Sequence, residues 1–329
     1  MKRSLKLLAA AVATATGLSL AACAPGGTVP SDPSDQPETA PAYVPVNIGV
    51  GADAAYAAFF VADQLGLFAE AGLDVTLTPF STGGDALAAL GAGQIQMTQS
   101  SPATITSIIA NNPSITAFVQ TVDVAGINKV VLRNGVESAT DVKSFGYVKG
   151  LSQYMAYAYF EENGVDPATI NWVAAGAGDM PALIQRGDID GFFLWEPWPT
   201  NVTTAGSGSV VATATEFPDL DPVLVNWLAS TDDWLAANEA TAKAVTAVLG
   251  EAIDIIDDDP QVAADAVEQA VAIKAADALV MVGRLGFGLQ PITGDVVAAT
   301  QQIGDFFVST GAISATPDLK SELVLDWSW

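Results

Sequence analysis

After Tyr43 the chain alternates short apolar runs with alanine-rich stretches of helical period, the pattern of an α/β fold. Val46-Asn47-Ile48-Gly49-Val50 predicts a strand, and residues 56–65 predict a helix with Ala57, Phe60, Val61 and Leu65 on one face. Residues 73–80 alternate as a strand, residues 85–90 are helical and stop at Gly91 and Gly93, and residues 95–98 read as a strand again. Later, Tyr147 and Val148 end a strand that leads into a helix. Beyond Asn226 the pattern turns helical, with amphipathic stretches over 239–257 and 261–274, followed by 275–284 and 295–309.

The order of elements recurs. Phe68-Ala-Glu70-Ala-Gly72-Leu73-Asp74 matches Phe160-Glu-Glu162-Asn-Gly164-Val165-Asp166, and Gly84-Asp85 through Gly93-Gln-Ile95 matches Gly178-Asp179 through Gly187-Asp-Ile189. Each copy then reaches a proline suited to opening a helix, Pro102 and Pro197. Two like α/β units predict two lobes with a cleft between them, where small ligands bind. The helical section after Asn226 is expected to return to the first lobe and cover it.

The first forty residues bear on location. Met1 to Lys6 is a short basic start, and residues 7–22 run small and apolar but are too short and too rich in Ala and Thr for a membrane span. The run ends in Leu20-Ala21-Ala22-Cys23, which resembles a bacterial lipobox. That resemblance implies a signal peptide over 1–22, lipidation at Cys23 and an extracytoplasmic protein anchored to the cell membrane. Residues 23–43 then form a tether rich in Pro, Ser and Asp. No later segment offers 18 uninterrupted apolar residues.

Composition narrows the chemistry. The 329 residues include no histidine and one cysteine, which removes His-based triads and dyads, His-ligated metals, disulfides and thiolate zinc sites. Asp and Glu number 37 against 12 Lys and Arg, a net charge of −25 that argues against nucleic-acid partners. What survives is carboxylate chemistry, a lysine Schiff base, an all-oxygen cation site, or binding without catalysis.

"AAFFVADQLGLFAEAGLDVTLTPFSTGGDALAALGAGQIQM" (57–97) resembles the first lobe of the nitrate/sulfonate/taurine-type substrate-binding proteins of ABC importers. "DVKSFGYVKGLSQY" (141–154) and "RGDIDGFFLWEPW" (186–198) resemble that family's second lobe and hinge. The resemblance implies a type II periplasmic-binding-protein fold: two lobes, each a βαβ-based sheet flanked by helices, with the C-terminal helices on the first. Its lobes would be 44–128 plus 226–329, and 129–225. It implies a monomeric receptor that closes on a solute and delivers it to an ABC permease, without cofactor or metal. The family commonly shows Asp where this chain has Gln96, although the second copy keeps Asp190; that change is expected to concern lobe structure and not the ligand. Enzymes that share this fold, pyrimidine-forming and menaquinone-pathway relatives, use His or a Cys-rich motif, and this chain has neither.

Candidate ligand contacts sit where strands end. Ser81-Thr82-Gly83 precedes a helix, and Lys149-Gly150-Leu151-Ser152-Gln153 joins a strand to another; each offers hydroxyl and N–H donors to an anion or serves as an ordinary cap. Gln99 and Ser100 supply uncharged donors, or plain loop polarity. Tyr56 offers its ring to an organic ligand or packs on the lobe. Trp195 and Glu196 are candidates at the interlobe crossing, while Trp198 reads as core or hinge. Asp257-Asp258-Asp259-Pro260 reads as a solvated helix end and turn. The expected solute is small and organic with an anionic or zwitterionic head, such as a sulfonate, taurine or nitrate-type ion. Alternatives are an aminopyrimidine whose amine pairs with Glu196, a carboxylate-only enzyme, and a structural surface lipoprotein.

Overall fold

Two mixed β-sheets, each set between helices, make up the described part of the chain, residues 43–329 of a computed structural model. The expected signal peptide, Cys23 and residues 24–42 of the expected tether lie outside the described residues. The first sheet begins with β1 (Val46–Gly51), α1 (Ala57–Gln64), α2 (Leu67–Glu70), β2 (Val75–Phe80), α3 (Gly83–Gly91), β3 (Met97–Ser100), α4 (Pro102–Ile109) and β4 (Ile115–Asp123). The second follows with β5 (Asn128–Arg133), β6 (Ser144–Tyr147), α5 (Leu151–Glu162), β7 (Asn171–Ala174), α6 (Met180–Arg186), β8 (Gly191–Trp195), α7 (Trp198–Thr204) and β9 (Gly208–Thr213). The chain returns through β10 (Val225–Thr231), α8 (Asp232–Ala237), α9 (Glu239–Asp258), α10 (Pro260–Val271), α11 (Ala275–Val282), β11 (Gly286–Pro291), α12 (Gly294–Ser309) and α13 (Leu319–Glu322).

The sequence repeat is a structural repeat. β1 pairs in parallel with β2 and β3, as β6 pairs in parallel with β7 and β8. An antiparallel strand then joins each unit, β10 on β3 and β5 on β8, followed by β4 and β9. The orders are β11-β4-β10-β3-β1-β2 and β7-β6-β8-β5-β9, so β11 is an extra edge on the first sheet. Gln96 and Asp190 occupy matching places. The Gln96 Oε1 accepts from the Asn47 N–H at the start of β1 (2.8 Å). The Asp190 Oδ2 accepts from the N–H groups of Lys143 and Ser144 at the start of β6 (2.7 and 2.9 Å). Either side chain thus ties the turn before one strand to the beginning of its parallel neighbour. One neutral acceptor suffices in the first copy, whereas the second adds a guanidinium, Arg133 Nε, 2.8 Å from Asp190 Oδ1.

Strand alternation sends each sheet's side chains into two cores. In the second sheet Val130, Leu132 and Phe193 pack with α5, while Val131, Phe192 and Leu194 pack with α6 and α7. In the first, α1, α9, α10 and α11 cover one face, and α3 and α4 cover the other around the fully buried Trp227. Pro79 falls on β2, an edge strand where a missing N–H is tolerated. The chain end docks on this sheet: the Val324 N–H donates to the Ala117 carbonyl (3.0 Å), and Trp327 lies 5.0 Å from Phe118.

Some elements differ from expectation. Tyr56 belongs to a 3-10 turn, Ala54–Tyr56, that Asp53 caps before α1 begins. β3 starts later than expected because residues before Met97 are held in the turn that Gln96 anchors. β11 was not foreseen, since its Gly-Phe-Gly-Leu-Gln-Pro sequence reads as a breaker. α12 reaches beyond the first lobe: Ile303 and Phe307 enter the second lobe's core.

Burial alone would raise the Asp190 carboxyl, but the Lys143 and Ser144 N–H groups and the Arg133 guanidinium outweigh it and hold the group below the usual carboxylate range. A lowered native value means that the charged form stabilises the fold above the unfolded value near 3.9, and that this is lost as pH falls through the native value. Asp190→Asn is expected to cost roughly 1–2 kcal/mol at neutral pH, because Arg133 is partly exposed and the two N–H bonds carry most of the effect. Urea denaturation at about pH 7 and about pH 3 checks it: the deficit should narrow in acid, and an equal deficit at both would contradict this account.

Candidate functional site

The carboxyl ends of the parallel strands face one cavity of about 90 Å³. Asp53, Ala55 and Tyr56 follow β1; Thr82, Gly83 and Gly84 follow β2; Ser100, Ser101 and Thr104 end β3 and open α4. From the second sheet come Val148, Lys149, Leu151 and Ser152 after β6, and Trp195 at the end of β8. The crossing segments supply Val124, Ile127, Asn128 and Asn226. Those crossings are joined directly, the Val124 N–H donating to the Leu224 carbonyl (2.7 Å).

Three helices point their N-termini at the cavity, and the local sequence explains each. Thr82 caps α3 by accepting from the Asp85 N–H (3.1 Å). Ser101 caps α4 by accepting from the Thr104 N–H (3.2 Å), with Pro102 in the first turn. α5 follows Gly150 and has no side-chain cap, so its first N–H groups remain available. Glycine is required twice here. A Cβ on Gly83 would sit 2.5 Å from the Ser100 Oγ, and one on Gly150, whose φ is +102°, would sit 2.5 Å from the Thr104 Oγ1 of the other lobe.

Charged groups on the lining are sparse. Among the described residues, Lys149 is the one cation on the wall and Asp53 the one carboxylate. Burial pushes the Asp53 carboxyl up to about 6, although the Ala55 N–H (2.8 Å) pulls the other way. Tyr56 is raised as well, by burial first and then by the neighbouring Asp53 charge, so its phenol stays protonated and donates to the Gln99 carbonyl (2.9 Å). Among the described residues no cluster of three or more His, Cys, Asp or Glu is placed to hold a metal.

Of the residues singled out in the sequence, Tyr56, Thr82, Gly83, Ser100, Lys149, Ser152 and Trp195 meet on this wall. Ser152 is also structural, its Oγ donating to the Phe193 carbonyl (2.8 Å) and accepting from the Val148 N–H (3.2 Å). Ser81, Gln99, Gln153 and Glu196 are not on it. The Gln99 amide is spent inside the first lobe, donating to the Ala55 carbonyl (2.9 Å) and accepting from Thr121 Oγ1 (2.7 Å). Glu196 is 1% exposed; it pairs with the buried Lys129 and accepts from the Thr200 N–H (3.0 Å) in the first turn of α7. Trp198, half-buried, packs against the core that α6 and α7 share with the second sheet, beside Gly178. Sequence reasoning missed Asp53, Asn128 and Asn226. Asp53 alone carried a signal, an Asp two residues before a backbone N–H that opens an alanine-rich helix.

Fold and cavity together define a two-lobed α/β structure of the periplasmic-binding-protein architecture. The chain belongs to the NMT1-like family, whose model matches residues 39–271. Among solved structures it is similar to the alkanesulfonate-binding protein SsuA of Xanthomonas axonopodis pv. citri bound to MOPS, with 17% identity, a TM-score of 0.76, and 86% of this chain and 99% of that chain covered. It is similar also to the periplasmic nitrate-binding protein NrtA of Synechocystis PCC 6803, with 14% identity, a TM-score of 0.71 and 86% of each chain covered. The CA3427 gene product of Candida albicans, described as having the generic periplasmic binding protein fold, matches at 14% identity and a TM-score of 0.69, over 87% of this chain and 99% of that chain. At these identities the likeness establishes the fold. No curated protein sequence matches significantly.

The Lys129–Glu196 pair joins the start of β5 to the end of β8 beside the crossing, with both side chains removed from water. Glu196→Ala leaves a buried ammonium uncompensated and is expected to cost about 3–5 kcal/mol. The double variant Lys129→Met with Glu196→Leu should recover much of that loss in urea denaturation. Equal losses in the single and double variants would show that the pair itself is not what matters.

Proposed function

We propose that the protein is the extracytoplasmic solute-binding component of an ABC importer. In this reading it captures a small organic solute with an anionic or zwitterionic head between the lobes and delivers it to the permease. The observation that carries this is the meeting of three helix N-termini and Lys149 on one cavity, since free N–H groups at helix starts and the helix dipoles favour a negative group. The apolar wall formed by Val124, Ile127, Leu151 and Trp195 suits an organic body better than a bare inorganic ion. The sulfonate- and nitrate-binding proteins to which the fold is similar agree with an anion-binding role. A single wall carboxylate, with no second acid converging on it among the described residues, supports a receptor over a carboxylate-pair enzyme.

The same reading places residues 44–128 and 226–329 in one lobe and 129–225 in the other, closing about the paired crossings. It tethers the chain to the membrane through lipid on Cys23, which keeps the receptor near its permease. Membrane-fraction retention should disappear in Cys23→Ser.

Native mass spectrometry and thermal shift with taurine, alkanesulfonates, nitrate, aminopyrimidines and amino acids test the assignment. A specific solute at about 100 times its Kd adds about 2.7 kcal/mol of stability, which raises the Tm visibly. Lys149→Gln should weaken an anionic solute by roughly three- to tenfold, the modest loss expected of an exposed cation. A chain that no solute stabilises, and that carries none on purification, would not be a receptor for this class.

A further inference from the structure

Two acceptors on the cavity wall, the Asn128 amide oxygen and the Asp53 carboxylate, have no cation or side-chain donor of the protein beside them among the described residues. Asn128, at the start of β5, is 1% exposed, and its Nδ2 donates to the Val124 carbonyl (2.8 Å). That bond fixes the amide's orientation, because the reversed amide would set oxygen against oxygen. The Asn128 Oδ1 is then buried without a hydrogen-bond partner, whereas buried polar groups are nearly always satisfied. Asp53 caps the Ala54–Tyr56 turn through its Oδ1, and none of the ion pairs among the described residues includes it. Its carboxyl is raised as expected of a buried acid without a nearby cation.

We propose that Asp53 and Asn128 are the specificity-determining acceptors of the cavity, receiving N–H groups of an ammonium or amino nitrogen on the solute. The anionic end then lies at the helix N-termini beside Lys149. This rests on the solute-binding reading and narrows it to nitrogen-bearing solutes. A solute without N–H groups enters the cavity but leaves the buried Asn128 Oδ1 unpaired and the Asp53 carboxylate without a cation, and sites built to pair such groups discriminate strongly against analogues that lack them.

Titration calorimetry of the purified chain with two matched pairs provides the test: taurine against ethanesulfonate, and 4-aminopyrimidine against pyrimidine. The first pair examines an ammonium, the second an aromatic amine. In at least one pair the nitrogen-bearing member should bind tenfold or more tighter, and Asp53→Asn and Asn128→Leu should each move that ratio towards one. Asn128→Asp, which keeps an acceptor and adds charge, should move it upward for taurine and remains informative if the leucine variant does not fold. Equal affinity within both pairs, or ratios unmoved by these substitutions, overturns the acceptor subsite while leaving a solute receptor. Absence of binding by all four removes the solute class proposed above, and this inference with it.

Discussion

Parallel pairing of β1 with β2 and β3, and of β6 with β7 and β8, constrains nearly everything at the site. A parallel strand must be followed by a crossover that runs back along the sheet, so each helix starts where its strand ends. All the strand-to-helix turns of one unit therefore gather at one edge. Duplicating the unit and facing the two edges brings Thr82, Ser101 and Gly150 to a common space although they come from three crossovers and two sheets. The cavity is thus a consequence of chain direction, and the residues that line it follow from it.

This geometry also suits an acidic chain. With 12 Lys and Arg in 329 residues, few cations are available, and the two on β5 are engaged elsewhere. Lys129 pairs with Glu196 beside the crossing, and Arg133 with Asp190 at the opposite end of β8. Helix N-termini supply positive potential from backbone alone, without adding side-chain charge. Lys149 then only supplements a field that the fold already provides.

Much of the wall was legible because turn residues at strand ends are conspicuous: Thr82-Gly83 and Lys149 with Ser152 lie between a strand pattern and a helix pattern. The residues read less well share one cause, the direction of a side chain once its neighbours are set. Gln99 precedes Ser100 on β3 and so points to the other face, where Ala55 and Thr121 take its amide. Gln153 is one residue beyond Ser152, about 100° further round the helix. Glu196 turns to Lys129 because β5 and β8 pair Asn128 with Trp195, which sets the two charges together. That register is a long-range fact that no local window contains. Asn128 and Asn226 lie on crossing segments whose position depends on both lobes. The repeat was legible from its matched glycines and apolar positions, and Gln96 and Asp190 serve one structural purpose just beyond them with different chemistry.

α12 adds a condition that the repeat alone would not impose. Its Val297 belongs to a core of the first lobe, and its Ile303 and Phe307 to the core of the second. Phe306 meets Tyr154 and Tyr157 of α5 at 5.2 and 4.9 Å, both nearly edge to face. One rigid helix thus contributes apolar packing to both sheets, in addition to the two crossings. A relative rotation of the lobes cannot be a free swing about Val124 and Leu224, because close-packed cores resist continuous deformation. Any such rotation would displace α12 relative to at least one of the two cores. The ring contacts on α5 lie at the edge of the second lobe's core, and the helix carrying them begins beside the cavity, just after Gly150. Packing at Phe306 and the cavity wall at Leu151 and Ser152 are therefore joined through a single helix.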